Sequence, residues 1–225
     1  MPEPASTEIR EGLARLNIPF SPEQLVKVRI FLEELERWNR RYGLVARGDR
    51  AHRRIDREQL IVRHVLDSLA AWRTVRSFAQ RRQIADVGSG AGFPGIPLAV
   101  FLPDSRFTLL EPSAKKVAFL RNVVILANLE NVEVVETRLE EVRRRFDLVV
   151  FRAFSPLSRG LLADLRRILE PNGAIIAYKG KRSRIMEELE AAILDPKTID
   201  IVAVQVPFLA EERHLVIVPR ASSAS

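Results

Sequence analysis

The sequence predicts an α/β fold, in which a seven-stranded, mostly parallel sheet follows an N-terminal helical extension. Before residue 83 the apolar residues repeat only with a helical period. After it, short apolar runs alternate with helical stretches, a pattern typical of parallel βαβ units. The last two runs, 199–206 and 213–218, have no helical stretch between them. They therefore predict two antiparallel strands at one edge of the sheet.

The N-terminal extension contains three predicted helices. Ser21 precedes Pro22, which is the N-cap and first-turn pattern that starts a helix. We expect residues 1–80 to form a basic helical cap, 81–219 a Rossmann-like domain and 220–225 a flexible tail. The predicted helices of the cap cover 7–17, 22–41 and 56–80, with a basic loop at 43–54.

The second part of the chain contains the strands. The two faces of a parallel sheet are covered by the helices that connect its strands, so the two kinds of element should alternate. The predicted strands that precede the final pair are 83–88, 107–111, 131–136, 146–151 and 173–178. The predicted helices between them are 94–102, 113–127, 159–169 and 184–194.

Composition excludes several classes of protein. Of the 225 residues, 47% are hydrophobic and 29% are charged, which is not a disordered or fibrous composition. Cysteine is absent, so disulfides, thiolate nucleophiles and cysteine-based zinc sites are excluded. The three histidines are too far apart for a spaced metal motif. No apolar run approaches the roughly 20 residues that span a bilayer, and the N-terminus lacks signal-peptide features. We therefore expect a cytoplasmic protein with no membrane association and no metal.

Positive charge is concentrated in one segment. The chain carries a net charge of +7, and residues 37–82 hold 13 arginines against 4 acidic residues. Residues 83–225 are close to neutral, with 19 basic and 18 acidic residues. A basic segment on a neutral body indicates a nucleic-acid partner, because phosphate neutralisation provides the sequence-independent part of affinity. Charge alone does not establish an RNA or DNA partner, because an arginine-rich genome would give the same excess of arginine.

A glycine-rich loop, DVGSGAGFPG at 86–95, lies between a predicted strand and a predicted helix. Glycine allows positive φ and a close approach of the backbone to a ligand, and this is where α/β sheets bind cofactors. Asp86 could orient the amino group of a methionine moiety. The candidate cofactor-binding residues of the loop are Asp86, Gly88, Gly90, Gly92 and Phe93.

Glu111 ends the next predicted strand, 23 residues after Gly88. A carboxylate there can accept hydrogen bonds from both ribose hydroxyls of a nucleoside, whether of NAD or of S-adenosylmethionine. The loop has GxGxG spacing, and Phe93 stands where a dinucleotide motif has its third glycine. That spacing and the two final strands favour a methyltransferase sheet over an NAD-dependent oxidoreductase, which stays an alternative.

Several longer motifs occur in one order along the chain: RWNRRYGLV, VRHVLDSL, DVGSGAGFPGIPLA, LLEPSAKKVAFLRNV, TRLEEV, FDLVVFRAF, AYKG and ERHLVIV. Together they resemble the bacterial 16S ribosomal RNA guanine-N7 methyltransferase family, RsmG or GidB, from about residue 16 to residue 218. The resemblance implies a Rossmann-like class I methyltransferase fold. It also implies S-adenosylmethionine as cofactor, and 16S rRNA or the small ribosomal subunit as partner.

The resemblance assigns site residues by matching motifs. Gly88 and Phe93 should line the cofactor loop, and Leu139 and Glu140 should flank the adenine. Arg152, at the end of the fourth strand, should border both cofactor and target. Arg152 and Lys179 are the candidate catalytic residues. The candidate RNA-binding residues are Asn39, Arg47, Arg50, Arg53, Arg54, Arg63, His64 and Asp67.

The chain departs from the family pattern in one element. After Trp38 and Asn39 the family usually has an Asn and a Thr, whereas this chain has Gly43 and Val45. The change removes a side-chain amide and a hydroxyl, which puts substrate engagement in doubt more than cofactor binding.

Guanine N7 carries an in-plane lone pair and no proton, so its methylation needs no general base. The sequence agrees, because it offers no cysteine nucleophile and no evident base dyad. Proximity and orientation can supply roughly 7–11 kcal/mol for well-held reactants.

We expect a monomer. An RNA-binding protein with a vestigial methyltransferase fold, or a methyltransferase for a small molecule, would account for many of the same features.

Overall fold

The computed structural model describes residues 4–45, 56–79 and 82–219. Seven strands form one sheet in the order β3-β2-β1-β4-β5-β7-β6. Strands β1 to β5 are parallel, and β7 lies antiparallel between β5 and β6. The strands are β1 Gln83–Val87, β2 Arg106–Glu111, β3 Val132–Glu136, β4 Phe146–Arg152, β5 Leu169–Lys179, β6 Asp200–Val204 and β7 Arg213–Pro219. The predicted sheet and its antiparallel final pair are confirmed.

The helices agree with the predicted ones to within a few residues, except near residue 70. They are α1 Pro4–Arg15, α2 Pro22–Tyr42, α3 Arg57–Leu60, α4 Asp67–Leu69, α5 Trp72–Ala79, α6 Gly95–Phe101, α7 Ala114–Leu126, α8 Arg159–Arg167 and α9 Arg182–Ala191. Short 3-10 turns lie at Leu139–Glu141 and Pro196–Thr198. None of the described helices is long and apolar enough to cross a membrane.

Both ends of α2 are capped in the way its sequence indicates. Ser21 accepts a hydrogen bond from the Gln24 amide, and the Gln24 side chain accepts one from the Ser21 amide. At the other end Gly43 adopts φ 62° and donates its N–H to the Asn39 carbonyl. This left-handed cap favours glycine, so Gly43 has a structural role at the position where the family usually has Asn.

The predicted helix over 56–80 is interrupted. A π-helical turn, Ile61–Leu66, lies between α3 and α4, and the helical run breaks before α5 begins at Trp72. The Trp72 indole donates to the carbonyl of Phe101 at 3.0 Å, which ties α5 to the end of α6. Such π turns are frequent at functional sites, and this one lies beside the cleft described below.

The core has two layers, one on each face of the sheet. Consecutive strand residues point to opposite faces, so Ile84 packs in one layer and Ala85 in the other. The first layer contains residues of α1, α2, α6 and α7, including Leu13 and Phe119, while α8 and α9 cover the second. The described helices before residue 80 therefore share a core layer with the sheet. The predicted tail, 220–225, lies outside the described residues.

Gly95 is predicted to tolerate no side chain. A Cβ at this position would lie 2.6 Å from Asp86 Oδ2 and would overlap Leu109, both of which are buried. We expect Gly95→Ala to lower the free energy of unfolding by about 1–3 kcal/mol, because the core must shift to accept the methyl group. Urea denaturation followed by circular dichroism measures this free energy of unfolding.

Gly160, in α8, is the matched control for Gly95. A Cβ there would meet nothing within 4 Å, so alanine should stabilise the helix by about 0.5–1 kcal/mol. Equal changes in unfolding free energy for the two variants would contradict the packing around Gly95.

Candidate active site

An open cleft of about 890 Å³ lies where β1, β4 and β5 end and β7 begins. Its size is within the range of ligand-binding clefts, and the carboxyl edge of parallel strands is where open α/β sheets bind ligands. Five Lys or Arg residues line it against two Asp or Glu residues, so its wall is basic. These charged lining residues are Arg63, Asp67, Lys116, Arg152, Lys179, Glu188 and Arg213.

The glycine loop forms one wall of the cleft. Gly88, Gly90 and Gly92 have φ of 68°, 58° and 89°, a region that side chains other than glycine rarely adopt. The amides of Gly88 and Ser89 both donate to the carbonyl of Leu110 on the adjacent strand, at 2.9 and 3.2 Å. The turn is therefore attached to β2 as well as to β1.

Asp86 lies buried beneath this loop. Its Oδ2 accepts the Gly95 amide at 2.9 Å, and its Oδ1 is buried with no hydrogen-bond partner among the described residues. Burial raises the pKa of Asp86 to about 7, although the Gly95 and Ser89 hydrogen bonds and the Arg152 charge act against the rise.

Glu111 holds the same loop from the end of β2. Its two carboxylate oxygens accept the amides of Gly90 at 2.9 Å and Ser113 at 3.0 Å. Lys116 approaches the carboxylate at 3.8 Å. The side chain is only 3% exposed, so its contact with a ribose stays a prediction.

An ion-pair cluster around the buried Asp67 lines the cleft beside the glycine loop. Asp67 accepts Arg152 Nη1 on Oδ2 and Arg213 Nε on Oδ1, both at 2.8 Å. Arg152 Nη1 also donates to the Arg63 carbonyl at 3.0 Å, and its guanidinium lies 5.0 Å from the centre of the Phe93 ring. Arg152 therefore connects the helical extension, β4 and the glycine loop.

His64 completes this cluster. Arg152 Nη2 lies 2.8 Å from His64 Nδ1, and the imidazole stacks on Phe93 with ring centres 5.0 Å apart. Burial, then Arg152, then Arg63 lower the pKa of His64 to about 3, so the ring is neutral at physiological pH. Arg63 itself forms an ion pair with Glu211 at 2.7 Å.

Lys179 and Glu188 hold the segment that follows β4. Glu188 Oε2 accepts Lys179 Nζ at 2.6 Å and the Leu157 amide at 2.8 Å. Ala153 has φ 50°, and the Phe154 side chain lies over Gly88, where it would overlap any Cβ. Phe154 is 38% exposed, so its ring is available at the cleft.

Tyr178 joins β5 to the helical extension. Its hydroxyl donates to the carbonyl of Ser68 at 2.9 Å. Burial, and then the Asp67 and Asp86 carboxylates, raise the pKa of Tyr178 well above its ordinary value, so the phenol stays protonated as a donor.

The structure brings many of the predicted site residues together. Those that line the cleft are Gly88, Gly90, Phe93, Arg63, His64, Asp67, Arg152 and Lys179. Leu139 is buried in the core layer covered by α8 and α9, and Glu140 is exposed beside it; neither lines the cleft. Their contact with adenine, like that of Gly92 with the cofactor, stays a prediction.

Two of the predicted RNA-binding residues are buried. Asn39 is 2% exposed, and its Oδ1 accepts the Val45 amide at 3.0 Å, so its side chain holds the end of α2 rather than facing a ligand. Asp67 is 6% exposed, and both of its oxygens bind arginine, so it positions cations at the cleft, and its contact with RNA stays a prediction. Arg47, Arg50, Arg53 and Arg54 lie outside the described residues.

Arg213, Tyr178 and Glu188 line the cleft but were not predicted as site residues. Arg213 is the first residue of β7 and occurs in the ERHLVIV motif. An antiparallel strand begins at the edge where its parallel neighbours end, and this rule could have placed Arg213 at the cleft. Nothing in the local sequence of Tyr178 or Glu188 indicates their partners. The described residues contain no group of His, Asp or Glu that could hold a metal ion.

Asp86 predicts a pH dependence of stability. Its pKa is raised from 3.8 to about 7 in the folded state, so the folded protein holds this proton more tightly than the unfolded chain. The stabilisation of the folded state by this bound proton is fully present below about pH 4, and it is lost as the pH rises through about 7. Relative to Asp86→Asn, we expect wild-type unfolding free energy to fall by roughly 2–4 kcal/mol between pH 4 and pH 8.

Urea unfolding at each pH tests this expectation, and Asp104→Asn, at an exposed carboxylate, is the control. A constant difference between wild type and Asp86→Asn over this range would contradict the raised pKa of the folded state.

Comparisons with known proteins identify the family of this chain. The family model described as "rRNA small subunit methyltransferase G" (GidB) matches residues 24–216. Proteins named "Ribosomal RNA small subunit methyltransferase G" from Treponema pallidum and Laribacter hongkongensis are 37% and 38% identical to this chain. The alignments cover 92% and 93% of this chain and 91% and 95% of those proteins.

A solved structure shares the fold at lower identity. It is a protein from Klebsiella pneumoniae described as an O-methyltransferase, with a TM-score of 0.56, 21% identity, and coverage of 91% of this chain and 92% of that one. It supports the methyltransferase-like architecture of the sheet and nothing more specific. The match over 24–216, together with relatives that align along almost their whole length, shows that this chain belongs to the rRNA small subunit methyltransferase G family.

Proposed function

We propose that this protein transfers a methyl group from S-adenosylmethionine to the N7 of one guanine in 16S rRNA. Family membership supports the reaction class, the cofactor and the ribosomal RNA substrate. The observation that carries the proposal is that the glycine loop and a cationic wall face the same cleft. A cofactor and a polyanionic substrate can therefore meet there.

The residues around the loop fit S-adenosylmethionine. Glycines at positive φ leave the backbone of the turn open to a ligand, and a buried Asp86 oxygen without a partner is available for a polar group. Gly88, Gly90 and Phe93 would hold the cofactor beside the cleft, and Glu111 its ribose. When bound, S-adenosylmethionine supplies an electrophilic methyl group on a sulfonium centre.

The cationic wall would hold the RNA strand. Arg63, Arg152, Arg213 and Lys179 each bind a carboxylate or carbonyl, which fixes their positions before a phosphate arrives. Because Arg forks match phosphate geometry, these groups can orient the backbone around an extruded nucleotide. Phe154, exposed over Gly88, could stack on the target base.

The chemistry proposed here depends on orientation. The N7 lone pair needs no deprotonation, so the protein has only to hold the base in line with the methyl group and exclude water. The titratable groups near the loop agree with this. His64 is neutral and bound to Arg152, while Asp86 lies beneath the loop with its pKa near 7.

We also propose how the two parts of the chain divide this work. Residues 1–80 would contact RNA through their excess of arginine, and residues 81–219 would bind the cofactor. We also propose that the protein acts as a monomer. Ribosomal subunits are the expected partner, so we propose the cytoplasm as its location, without membrane association.

Transfer of labelled methyl groups tests the proposal directly. The protein is incubated with methyl-labelled S-adenosylmethionine and small ribosomal subunits from a strain lacking this modification, and the rRNA is digested to nucleosides. We expect label in 7-methylguanosine. Label in another nucleoside would overturn the target atom. No label, on subunits that another family member modifies, would favour the vestigial RNA-binding alternative.

Gly88→Ala tests the cofactor wall. The added Cβ would overlap Phe154 and sits at φ 68°, so the loop must move. We expect S-adenosylmethionine affinity, measured by calorimetry, to fall about 10-fold or more, since strain of about 1–3 kcal/mol opposes the binding geometry. Gly160→Ala, in α8 and away from the cleft, should bind like wild type. Unchanged affinity in Gly88→Ala would remove this loop as the cofactor site.

A further inference from the structure

The hydrogen bond between Arg152 and His64 fixes which ring nitrogen of His64 carries the proton. A guanidinium can only donate, so Nδ1, 2.8 Å from Arg152 Nη2, must accept. A neutral imidazole that accepts at Nδ1 carries its hydrogen on Nε2. The structure gives this Nε2 no hydrogen-bond partner among the described residues, although His64 lines the cleft. His64 therefore offers one neutral N–H donor to whatever enters.

The surroundings keep the ring neutral and in place. The positive charges of Arg152 and Arg63 face it. The two nearby carboxylates are already paired. Asp67 binds Arg152 and Arg213, and Glu211 binds Arg63. Phe93 stacks on the ring. On the backbone, the hydroxyl of Ser68 donates to the His64 carbonyl at 2.6 Å, within the helical run that contains the π turn. The donor is thus held rigidly.

We propose that His64 is a specificity-determining residue that donates a hydrogen bond from Nε2 to O6 of the target guanine. This inference rests on the proposed function, and it names the atom that reads the base. Guanine presents two acceptors, N7 and O6, side by side on this edge. With N7 left free for the methyl group, O6 is the acceptor beside it.

The chemistry favours a neutral donor at this place. Adenine carries an amino group where guanine has O6, so an N–H donor that cannot become an acceptor would face another donor and leave both unpaired. Guanine also gains positive charge as N7 is methylated. A protonated imidazole beside O6 would oppose that charge, whereas a neutral N–H does not.

Nuclear magnetic resonance of the free protein tests the tautomer without any activity assay. The chain has three histidines, and the described His214 is an internal contrast, since its Nδ1 lies 2.7 Å from the Gly180 carbonyl and must donate. Long-range proton–nitrogen spectra of ¹⁵N-histidine-labelled protein at neutral pH should show His64 protonated on Nε2 and His214 on Nδ1. Single His→Gln variants assign the signals.

Steady-state methylation of small subunits tests the role in base recognition. His64→Leu removes the donor, and His64→Gln keeps an N–H donor on a side chain of similar size. We expect kcat/KM on subunits with guanine at the target to fall roughly 10- to 100-fold for His64→Leu, with most of the loss recovered in His64→Gln. If the two variants bind S-adenosylmethionine with similar affinity, the difference between their kcat/KM values arises from recognition of the target base.

The outcomes separate this inference from the function on which it rests. Wild-type protein that binds no S-adenosylmethionine and methylates no subunit would overturn both. An active wild type whose His64 carries its proton on Nδ1, or on both nitrogens, would overturn only the inference. Equal kcat/KM for His64→Leu and His64→Gln in an active enzyme would do the same.

Discussion

The carboxylate of Asp67 is the centre on which the arrangement of the cleft depends. A buried carboxylate is costly unless it is fully paired, and here its two oxygens bind Arg152 from β4 and Arg213 from β7, each at 2.8 Å. One side chain of the helical extension therefore fixes the end of β4 and the start of β7 beside the cleft. Arg152 in turn orients His64 and lies over Phe93, so the ion pair reaches the glycine loop.

The loop is held from below by two more carboxylates. Asp86 accepts the amide of Gly95 and Glu111 accepts that of Gly90, so the backbone donors of the turn are used to shape it. The loop conformation needs glycine, because three of its residues have positive φ. Of the glycines that shape the turn, Gly88 and Gly90 also line the cleft.

The helical extension contributes directly to the cleft, which its residues Arg63, His64 and Asp67 line. It shares the core layer of the sheet's first face, and the carbonyl of Arg63, a residue of its π turn, accepts a hydrogen bond from Arg152. Asn39, which resembled an RNA contact, closes the end of α2 from within, and Val45 reaches the cleft itself. The described helices before residue 80 therefore pack in one core with the sheet, and they supply part of the lining of the cleft.

The sequence by itself determined the sheet, its antiparallel final strands, the cofactor loop and the family, because strand and helix periods, caps and glycine turns depend on residues close together in the chain. Only the tertiary structure decided which side chains meet. Asp67 and Arg152 are 85 residues apart, and Asp67 and Arg213 are 146 apart. Such pairs follow from strand order and burial, which no local pattern records. For that reason the sequence did not indicate the pairing of Asp67 with two arginines, the inward side chain of Asn39 or the place of Arg213 at the cleft.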